Sequence, residues 1–263
     1  MPSAVDPAFL KDQRPAAVPI WREALVGLDW LALRWSPSFY GCGVPRGDGS
    51  AVVVVPGFLG TDWYLVELHA WLLRLGYRPY LSRIGRNAEC LDVLADRLFE
   101  TIELAHAATG RAVHLIGHSL GGMLSRSAAA RHPDLIASVI TLGAPFRGIR
   151  SHPLVLAASD RVRHRINQGR ADDERPQCFT GYCTCAAVTG LHAPFPPSVH
   201  QIAVYTKTDG IVDWRFCVND DPEANVEVHG THVGLVVNPA VYRIIAAHLA
   251  RTHRQRFAAD PVT

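Results

Sequence analysis

One serine lies where the chain could use it as a nucleophile. Residues 114–128 read HLIGHSLGGMLSRSA, in which an apolar run ends at Gly117 and Ser119 follows. The pentapeptide from Gly117 to Gly121 fits G-x-S-x-G, a pattern that places its serine on a sharp turn between a strand and a helix. Such a turn strains the serine backbone and exposes its hydroxyl, and the glycines allow the chain to pass close to itself. The pattern predicts an activated Ser119; an ordinary turn with Ser119 as helix N-cap is the alternative.

A serine hydroxyl is a weak nucleophile at neutral pH, and it needs a base that is itself oriented by a carboxylate. In parallel α/β sheets such groups gather at the carboxyl ends of strands. The stretch IAVYTKTDGIVDW places Asp209 directly after an apolar strand, with Gly210 allowing a tight turn. Asp213 lies four residues later and is the competitor. Asp209 is the predicted acid because it lies nearer the end of the strand.

The chain has 13 histidines, so position has to select the base. VEVHGTHVGLVVNPAVY places His232 in a loop between the last strand and the last helix, with His229 as second choice at the strand end. His248 falls inside the helix. The resulting chain order of serine, acid and histidine is the order expected for a G-x-S-x-G turn in this architecture. His232 is therefore the predicted base.

Acyl transfer also needs hydrogen-bond donors for the oxyanion. One predicted donor is the backbone N–H of Leu120, directly after the nucleophile. The other is expected in the loop after the first core strand, VVVVPGFLGTD, where Phe58 is the choice and Leu59 the fallback. Asn87, in IGRN, could line the same pocket, although a role in a turn is the simpler interpretation.

The elements that would position these residues alternate between strands and helices from residue 51 onward. This alternation predicts an α/β fold with a mostly parallel central sheet, helices on both faces and a cap or insertion. Asp62 is expected to cap the helix after the first core strand, and Asn238 and Pro239 to begin the last one. Pro79 indicates an edge strand or a bulge. The predicted parts are an N-terminal helical segment packed on the body (1–50), a core (51–146 and 200–255) and a cap (147–199).

The segment IWREALVGLDWLALRW, within the N-terminal part, is apolar on more than one face. Trp21, Leu25, Leu28 and Trp35 share one stripe. A helix packed on the body is the prediction, and contact with a membrane surface is the alternative. A surface anchor would carry a basic polar face, whereas this helix has polar residues of both charges.

Composition excludes several classes of protein. The chain has 263 residues, 48% of them hydrophobic, and a formal net charge of +2, which gives no indication of nucleic-acid binding. The N-terminus lacks the pattern of a signal peptide, and the longest apolar runs reach about ten residues, roughly half a membrane helix. A soluble, cytoplasmic protein is expected; the oligomeric state stays open.

Three of the six cysteines crowd into CFTGYCTC, at Cys178, Cys183 and Cys185. With His192 and His200 nearby a zinc site is conceivable, but the spacing matches no metal motif, and no metal is predicted. A disulfide from Cys183 or Cys185 to Cys217 is a second possibility. Reduced thiols are the prediction because no export signal is evident.

Several of these stretches together resemble the α/β-hydrolase fold family in its lipase-like branch, over residues from about 50 to 252. They are VVVVPGFLG, GHSLGG, TLGAPFRG, TDGIVDW and HGTHVGLV. The resemblance implies the same triad, Ser119, Asp209 and His232. More narrowly, the sequence is similar to bacterial α/β hydrolases of uncertain substrate. One departure is Pro56 before Gly57, where many relatives carry a histidine.

The expected activity is therefore hydrolysis of carboxylic esters, of esterase or lipase type, through an acyl-enzyme and without a cofactor. The expected substrate is a small-molecule acyl ester or a lipid-like ester. A thioesterase or an acyltransferase would use the same triad. A non-catalytic binding protein on this fold is the alternative from another class.

Overall fold

The computed structural model describes residues 14–169 and 185–259. Its strands are β1 (Arg14–Pro15), β2 (Ala51–Val55), β3 (Arg78–Leu81), β4 (Val113–His118), β5 (Ile136–Leu142), β6 (Arg150–Ser151), β7 (His200–Tyr205) and β8 (Asn225–Glu227). Its α-helices are α1 (Val26–Trp35), α2 (Val66–Leu75), α3 (Leu91–Thr109), α4 (Leu120–Arg131), α5 (Pro153–Gly169), α6 (Ala186–His192) and α7 (Pro239–Ala259).

Six of these strands form one sheet in the order β3-β2-β4-β5-β7-β8, and every neighbouring pair is parallel. All residues of β2, β4 and β5 are buried. Continuous apolar strands of this kind are typical of a parallel sheet covered on both faces. Pro79 lies in β3, the edge strand, where its missing N–H is tolerated. The predicted fold class and the predicted edge position are both confirmed.

Alternate residues of β2 point into two separate cores, as the two-residue period of a strand requires. Val52 and Val54 pack with α2 and α7 on one face of the sheet. Val53 and Val55 pack with α3 and α4 on the other face. The sheet is therefore covered by helices on both faces, and the carboxyl ends of its parallel strands lie at one edge between the two helical layers.

The N-terminal segment packs on the body, but not through the apolar stripe that contains Trp21 and Trp35. A 3₁₀ turn (Ile20–Leu25) leads into α1, which contacts a second 3₁₀ turn (Val233–Val237) and buries Leu33 completely. The stripe that the sequence groups together stays exposed; Trp21 and Trp35 are 66% and 86% exposed. Among the described residues, no helix has both the length and the apolar character needed to cross a bilayer.

The segment after β5 divides between the cavity and the core. β6 pairs with β1, and α5 then borders a cavity above the sheet. Helix α6 instead packs on α4 and α3 and buries Ala187, Val188 and Leu191. The boundaries of a cap over 147–199 stay a prediction, with α5 as its described part nearest the cavity.

The expectation that Asp62 caps a helix is wrong. The chain first forms a 3₁₀ turn (Asp62–Leu65), and the Asp62 carboxylate faces the loop after β3 instead. There it accepts hydrogen bonds from the N–H groups of Ser82 (3.1 Å) and Arg83 (2.9 Å) and from the Ser82 hydroxyl (2.6 Å). Asn238 does cap α7 as predicted, accepting from the N–H of Ala240 at 2.8 Å.

Trp71 is the largest fully buried side chain of the α2 layer and provides a test of this core. Its indole N–H donates to the carbonyl of Ser38 at 2.9 Å, and its ring packs on that of Tyr242 with centroids 4.5 Å apart. We expect Trp71→Ala to lower the free energy of unfolding by about 3–5 kcal/mol because it leaves a cavity and removes a buried hydrogen bond. Urea denaturation followed by circular dichroism measures this loss.

The matched control is Trp63→Ala, since Trp63 is 83% exposed. That change should stay within about 0.5 kcal/mol of wild type. Equal losses for the two variants would contradict the described core.

Candidate active site

Ser119 lies at the junction of β4 and α4 with φ 51° and ψ −122°. This is a strained conformation for a residue with a Cβ, and it is the geometry that the G-x-S-x-G pattern predicts. The Ser119 N–H donates to the carbonyl of Leu142 at 2.8 Å, which ties the turn to the end of β5. The strain is therefore held by the sheet, and the side chain is directed into the cavity above it.

The flanking glycines are required by close contact of backbone with backbone. A Cβ on Gly117 would lie 2.4 Å from the carbonyl oxygen of Gly121. A Cβ on Gly121 would lie 2.4 Å from the carbonyl oxygen of Val55. Both distances are far below van der Waals contact, so neither position accepts a larger residue without displacing the turn.

Asp209 and His232 form a buried pair at the carboxyl ends of β7 and β8. The Nδ1 of His232 donates to Oδ2 of Asp209 at 2.6 Å. The other oxygen of Asp209 accepts from the N–H groups of Ile211 and Val212, both at 2.8 Å. These bonds hold the carboxylate in place and fix the proton on Nδ1, which leaves Nε2 as the basic nitrogen.

The pKa of His232 is raised above its ordinary value by a balance of opposing effects. Burial of the ring lowers the pKa, because it disfavours the charged form. The negative charge of Asp209, its hydrogen bond to the ring and the charge of Glu23 together outweigh that effect. The site therefore favours an imidazolium once the ring accepts a proton.

The alternatives weighed from the sequence lie in other environments. The Asp213 carboxylate accepts from the N–H of Arg215 at 3.1 Å and caps the turn Trp214–Phe216. His229 is exposed, and His248 lies within α7. The structure brings Asp209 and His232 together and leaves these three residues apart from the pair.

Ser119 and His232 line the same cavity, which has a volume of about 430 Å³. The Ser119 hydroxyl makes no hydrogen bond to any residue in the described ranges, so the link from serine to histidine is not formed here. Catalytic hydrogen bonds are commonly long in unliganded sites and tighten when the substrate binds. The His232–Asp209 pair and Ser119 thus share one cavity, but they do not form a continuous chain of hydrogen bonds.

The loop after β2 has one N–H group free to face this site. Leu59 donates its N–H to the carbonyl of Asn87 at 2.8 Å, and Gly57 donates to the Tyr64 hydroxyl. Phe58 has no acceptor for its N–H within residues 14–169 and 185–259, and it lines the cavity. This favours Phe58 over Leu59 as an oxyanion donor. Leu120 is the first residue of α4, so its N–H lacks a partner within the helix.

Asn87 holds this loop from behind. Its side-chain amide donates to the carbonyl of Pro56 at 2.7 Å, and its backbone N–H donates to the carbonyl of Gly60 at 2.8 Å. With the bond from Leu59, three hydrogen bonds join the fully buried Asn87 to the loop. Asn87 also lines a smaller cavity of about 170 Å³ that shares Phe58 and Leu120 with the main one.

Sequence reasoning missed a second link, made by Tyr64 and His118. The Nε2 of His118 donates to the carbonyl of His232 at 3.0 Å. Its Nδ1 therefore accepts from the Tyr64 hydroxyl, at 2.9 Å, and that hydroxyl accepts from Gly57. Burial, together with the nearby His232, lowers the pKa of His118 to about 3, so this ring stays neutral. The position of His118 inside the motif was a possible signal; nothing in the sequence pointed to Tyr64.

The structure answers part of the question whether the cysteines form a disulfide or bind a metal ion. Cys217 is a free, buried cysteine, so it forms no disulfide, and burial raises the pKa of its thiol. Cys178 and Cys183 lie outside the described residues. Within the described part of the chain, no cluster of three or more His, Cys, Asp or Glu side chains could hold a metal ion.

Comparison with known proteins finds similarity over part of the chain. Residues 89–172 match the family model of the alpha/beta hydrolase fold. A triacylglycerol lipase of Burkholderia plantarii is 32% identical over 133 residues, which are 47% of this chain and 37% of that lipase. A triacylglycerol lipase of Pseudarthrobacter phenanthrenivorans is 35% identical over 106 residues, 37% of this chain and 33% of that lipase. The chain thus spans between a third and two fifths of the length of these relatives.

Solved structures share the fold at low sequence identity. The structure of a metagenome-derived lipolytic enzyme matches with a TM-score of 0.56 and 14% identity, and the match covers 80% of this chain and 96% of that one. The carboxylesterase CesB of Bacillus subtilis has a TM-score of 0.52 and 13% identity, over 87% of this chain and 99% of that one. Together with the six-stranded parallel sheet and the strained serine turn, these matches show that the chain has the α/β-hydrolase fold, and part of it is similar in sequence to triacylglycerol lipases.

Proposed function

We propose that the protein hydrolyses carboxylic esters, with Ser119 as nucleophile, His232 as base and Asp209 as the orienting acid. The observation that carries the proposal is the buried hydrogen bond from His232 to Asp209 beside the strained Ser119 turn, on the wall of one cavity. A binding protein would need neither the strain nor a buried ionisable pair, both of which cost stability. Similarity to triacylglycerol lipases supports the same class of reaction.

In the proposed reaction, the Ser119 oxygen attacks the carbonyl carbon of the ester while its proton passes to Nε2 of His232. The tetrahedral intermediate then collapses, and the departing alcohol takes that proton and leaves an acyl-Ser119. His232 next removes a proton from water, which attacks the acyl carbon. The acid is released as the proton returns to Ser119. Asp209 keeps the ring oriented and stabilises its charged form in both steps.

The negative charge that develops on the carbonyl oxygen needs fixed donors. The N–H groups of Phe58 and Leu120 are proposed for this role, since both residues line the cavity beside Ser119. Removal of one such donor typically costs about 10²–10³-fold in turnover. Asn87 and Tyr64 support the loop that carries Phe58, so they act on the donor's position.

The lining of the cavity indicates the acyl group. Of the described residues around it, none is Lys, Arg, Asp or Glu. Leu154 and Val155 from α5, with Ile211 and Val233, give it aliphatic walls. Burial of a charged group against such walls is unfavourable because it loses its hydration. The proposed substrate is therefore an ester with an uncharged, apolar acyl chain, and no step needs a cofactor.

Replacement of the three proposed residues tests the triad. We expect Ser119→Ala, Asp209→Asn and His232→Gln each to reduce turnover of p-nitrophenyl butyrate by about 10⁴–10⁶-fold. Labelling by a fluorophosphonate probe should disappear in Ser119→Ala. Melting temperatures of all variants should be measured to confirm that they are folded.

The chain offers matched controls for two of these changes. Asp213→Asn and His229→Gln alter the same residue types in the same loops, and they should stay within a few fold of wild type. Turnover that survives Ser119→Ala, or a loss in His229→Gln equal to that in His232→Gln, would contradict the proposed assignment.

The pH dependence follows from the state of His232. The base must be neutral to accept the Ser119 proton, and its pKa is raised above the ordinary 6.5. The acid limb of kcat/KM should therefore have an apparent pKa above 6.5, with activity lost as the pH falls through it. His118 does not contribute to this limb because its pKa is about 3.

Asp209→Asn removes the charge that raises the pKa of His232, so it should move the acid limb to lower pH. The rate of fluorophosphonate labelling against pH measures this limb even when turnover is slow. An acid limb below 6.5 in the wild type, or one that Asp209→Asn leaves in place, would contradict the assignment.

The character of the cavity predicts selectivity for uncharged acyl groups. We expect p-nitrophenyl butyrate to be hydrolysed at least about tenfold faster, in kcat/KM, than the p-nitrophenyl monoester of succinate, which has a similar length and a terminal carboxylate. A series from acetate to palmitate then defines the preferred chain length. Equal rates on butyrate and the succinate monoester would contradict an apolar acyl site.

A further inference from the structure

One carboxylate from the N-terminal segment bridges the two loops that carry Asp209 and His232. Oε1 of Glu23 accepts from the N–H of Gly210 at 2.9 Å and from the N–H of His232 at 3.0 Å. Its Oε2 accepts from the N–H of Val233 at 2.9 Å. A single side chain thus binds the residue after the proposed acid, 187 positions away in sequence, and the proposed base itself, 209 positions away.

The loop sequence is adapted to this approach. A Cβ on Gly210 would lie 2.8 Å from Oε1 of Glu23 and 2.8 Å from the carbonyl oxygen of Pro19. The absence of a side chain at Gly210 is therefore needed for contact with the N-terminal segment, in addition to any need of the turn itself. The glycine at position 210 is therefore part of the contact between this loop and the N-terminal segment.

A second carboxylate of the same segment binds the residue before His232. Oδ2 of Asp29 accepts from the N–H of Thr231 at 3.2 Å and from its hydroxyl at 3.0 Å. A Cβ on Gly234 would lie 2.0 Å from Oδ2 of Asp29, so this loop also depends on glycine for the contact. Glu23 and Asp29 together hold residues on both sides of the His232 Cα.

We infer that Glu23 is a positioning residue for ester hydrolysis, which fixes the Asp209 and His232 loops relative to each other by accepting three backbone hydrogen bonds. The inference rests on the proposed function for what it positions. Hydrogen bonds from N–H groups to a carboxylate are stronger and shorter than those between neutral groups. The carboxylate therefore holds two loops that leave different strands of the sheet as one unit.

The charge of Glu23 has a second effect, on the His232 ring. Two carboxylates act on this ring, and the ring of His118 lies beside it with centroids 4.8 Å apart. Asp209 and Glu23 raise its pKa, and His118 is neutral. The ring becomes positively charged as Ser119 loses its proton, so a nearby carboxylate stabilises that state. Glu23 would thus affect both the place of the base and its readiness to accept a proton.

Separate contacts attach the N-terminal segment to the body, and they provide a control. Arg34 of α1 forms an ion pair with Glu67 of α2, and the Trp30 indole N–H donates to Glu67 at 2.9 Å. Glu67 contacts neither catalytic loop in these bonds. Glu67→Gln weakens the attachment of the same segment without removing the bridge between the loops.

The test compares Glu23→Gln, Glu23→Ala and Glu67→Gln with wild type on p-nitrophenyl butyrate. Glu23→Ala loses all three bonds and the charge, so we expect kcat to fall by about 10–100-fold with little change in KM. Glu23→Gln retains one oxygen that can accept from Gly210 and His232, so part of kcat should be restored. Both Glu23 variants should shift the acid limb of kcat/KM to lower pH, because they remove a negative charge near His232. Glu67→Gln should produce neither change.

A second measurement does not depend on turnover. In a Ser119→Ala background, the His232 ring can be titrated by NMR and assigned through His232→Gln. Adding Glu23→Gln should lower the pKa of that ring, and adding Glu67→Gln should not. The proposed function is tested separately by labelling that depends on Ser119, so failure of one proposal is distinguishable from failure of the other.

Two results would overturn the inference. The first is folded Glu23 variants with wild-type kcat, an unmoved acid limb and an unchanged His232 titration. The second is a Glu67→Gln variant that reproduces the losses of Glu23→Ala, since Glu23 would then act only by attaching the segment.

Discussion

The hydrogen bond between His232 and Asp209 is the constraint around which the rest of the site is arranged. Both side chains are buried, and an ionisable pair without water has to be held by other polar groups or it destabilises the fold. The second oxygen of Asp209 is satisfied by two backbone N–H groups of its own loop. The pair is therefore held in place by the protein, and His232 is also part of the cavity wall.

Three loops have to meet at this pair, and the structure joins them by hydrogen bonds that do not use the side chains of the proposed triad. His118 and Tyr64 connect the carbonyl of His232 to Gly57, in the loop that carries Phe58. Glu23 connects the loop of Asp209 to that of His232. Each link passes through a buried or half-buried polar side chain with defined donors and acceptors. We interpret these links as the means by which loops from different strands keep a common geometry.

Much of this arrangement could be predicted because the relevant signals are local. The strain at Ser119 follows from glycines within two positions of it, and the parallel sheet follows from buried strands that alternate with amphipathic helices. Pro79 indicates an edge strand or a bulge because the missing N–H is tolerated at those places, and the structure has it on the edge strand β3. Asp209 and His232 could be selected by their places after strands. The 2.6 Å hydrogen bond between Nδ1 of His232 and Oδ2 of Asp209 is visible only in the structure.

The remaining features depend on contacts between residues distant in sequence. Glu23 binds Gly210 across 187 positions, and no local pattern indicates that a helix-flanking glutamate turns inward. The same limitation applies to the N-terminal segment. Its apolar residues lie on more than one face, so its pattern does not select the buried one, whereas the carboxylates of Glu23 and Asp29 bind the body and the Trp21 stripe stays exposed. The prediction that Asp62 caps a helix is wrong for a similar reason. Its partners, Ser82 and Arg83, lie in the loop after β3, and no local pattern indicates them.

A crystal structure of the protein after reaction with an alkyl fluorophosphonate would show whether the His232–Asp209 pair serves the Ser119 hydroxyl. We expect a covalent bond from phosphorus to the Ser119 oxygen, with Nε2 of His232 within hydrogen-bond distance of that oxygen. We also expect a phosphoryl oxygen about 2.7–3.1 Å from the nitrogens of Phe58 and Leu120. An adduct on another side chain, or one on Ser119 with the His232 ring turned away from it, would show that the pair does not serve this hydroxyl.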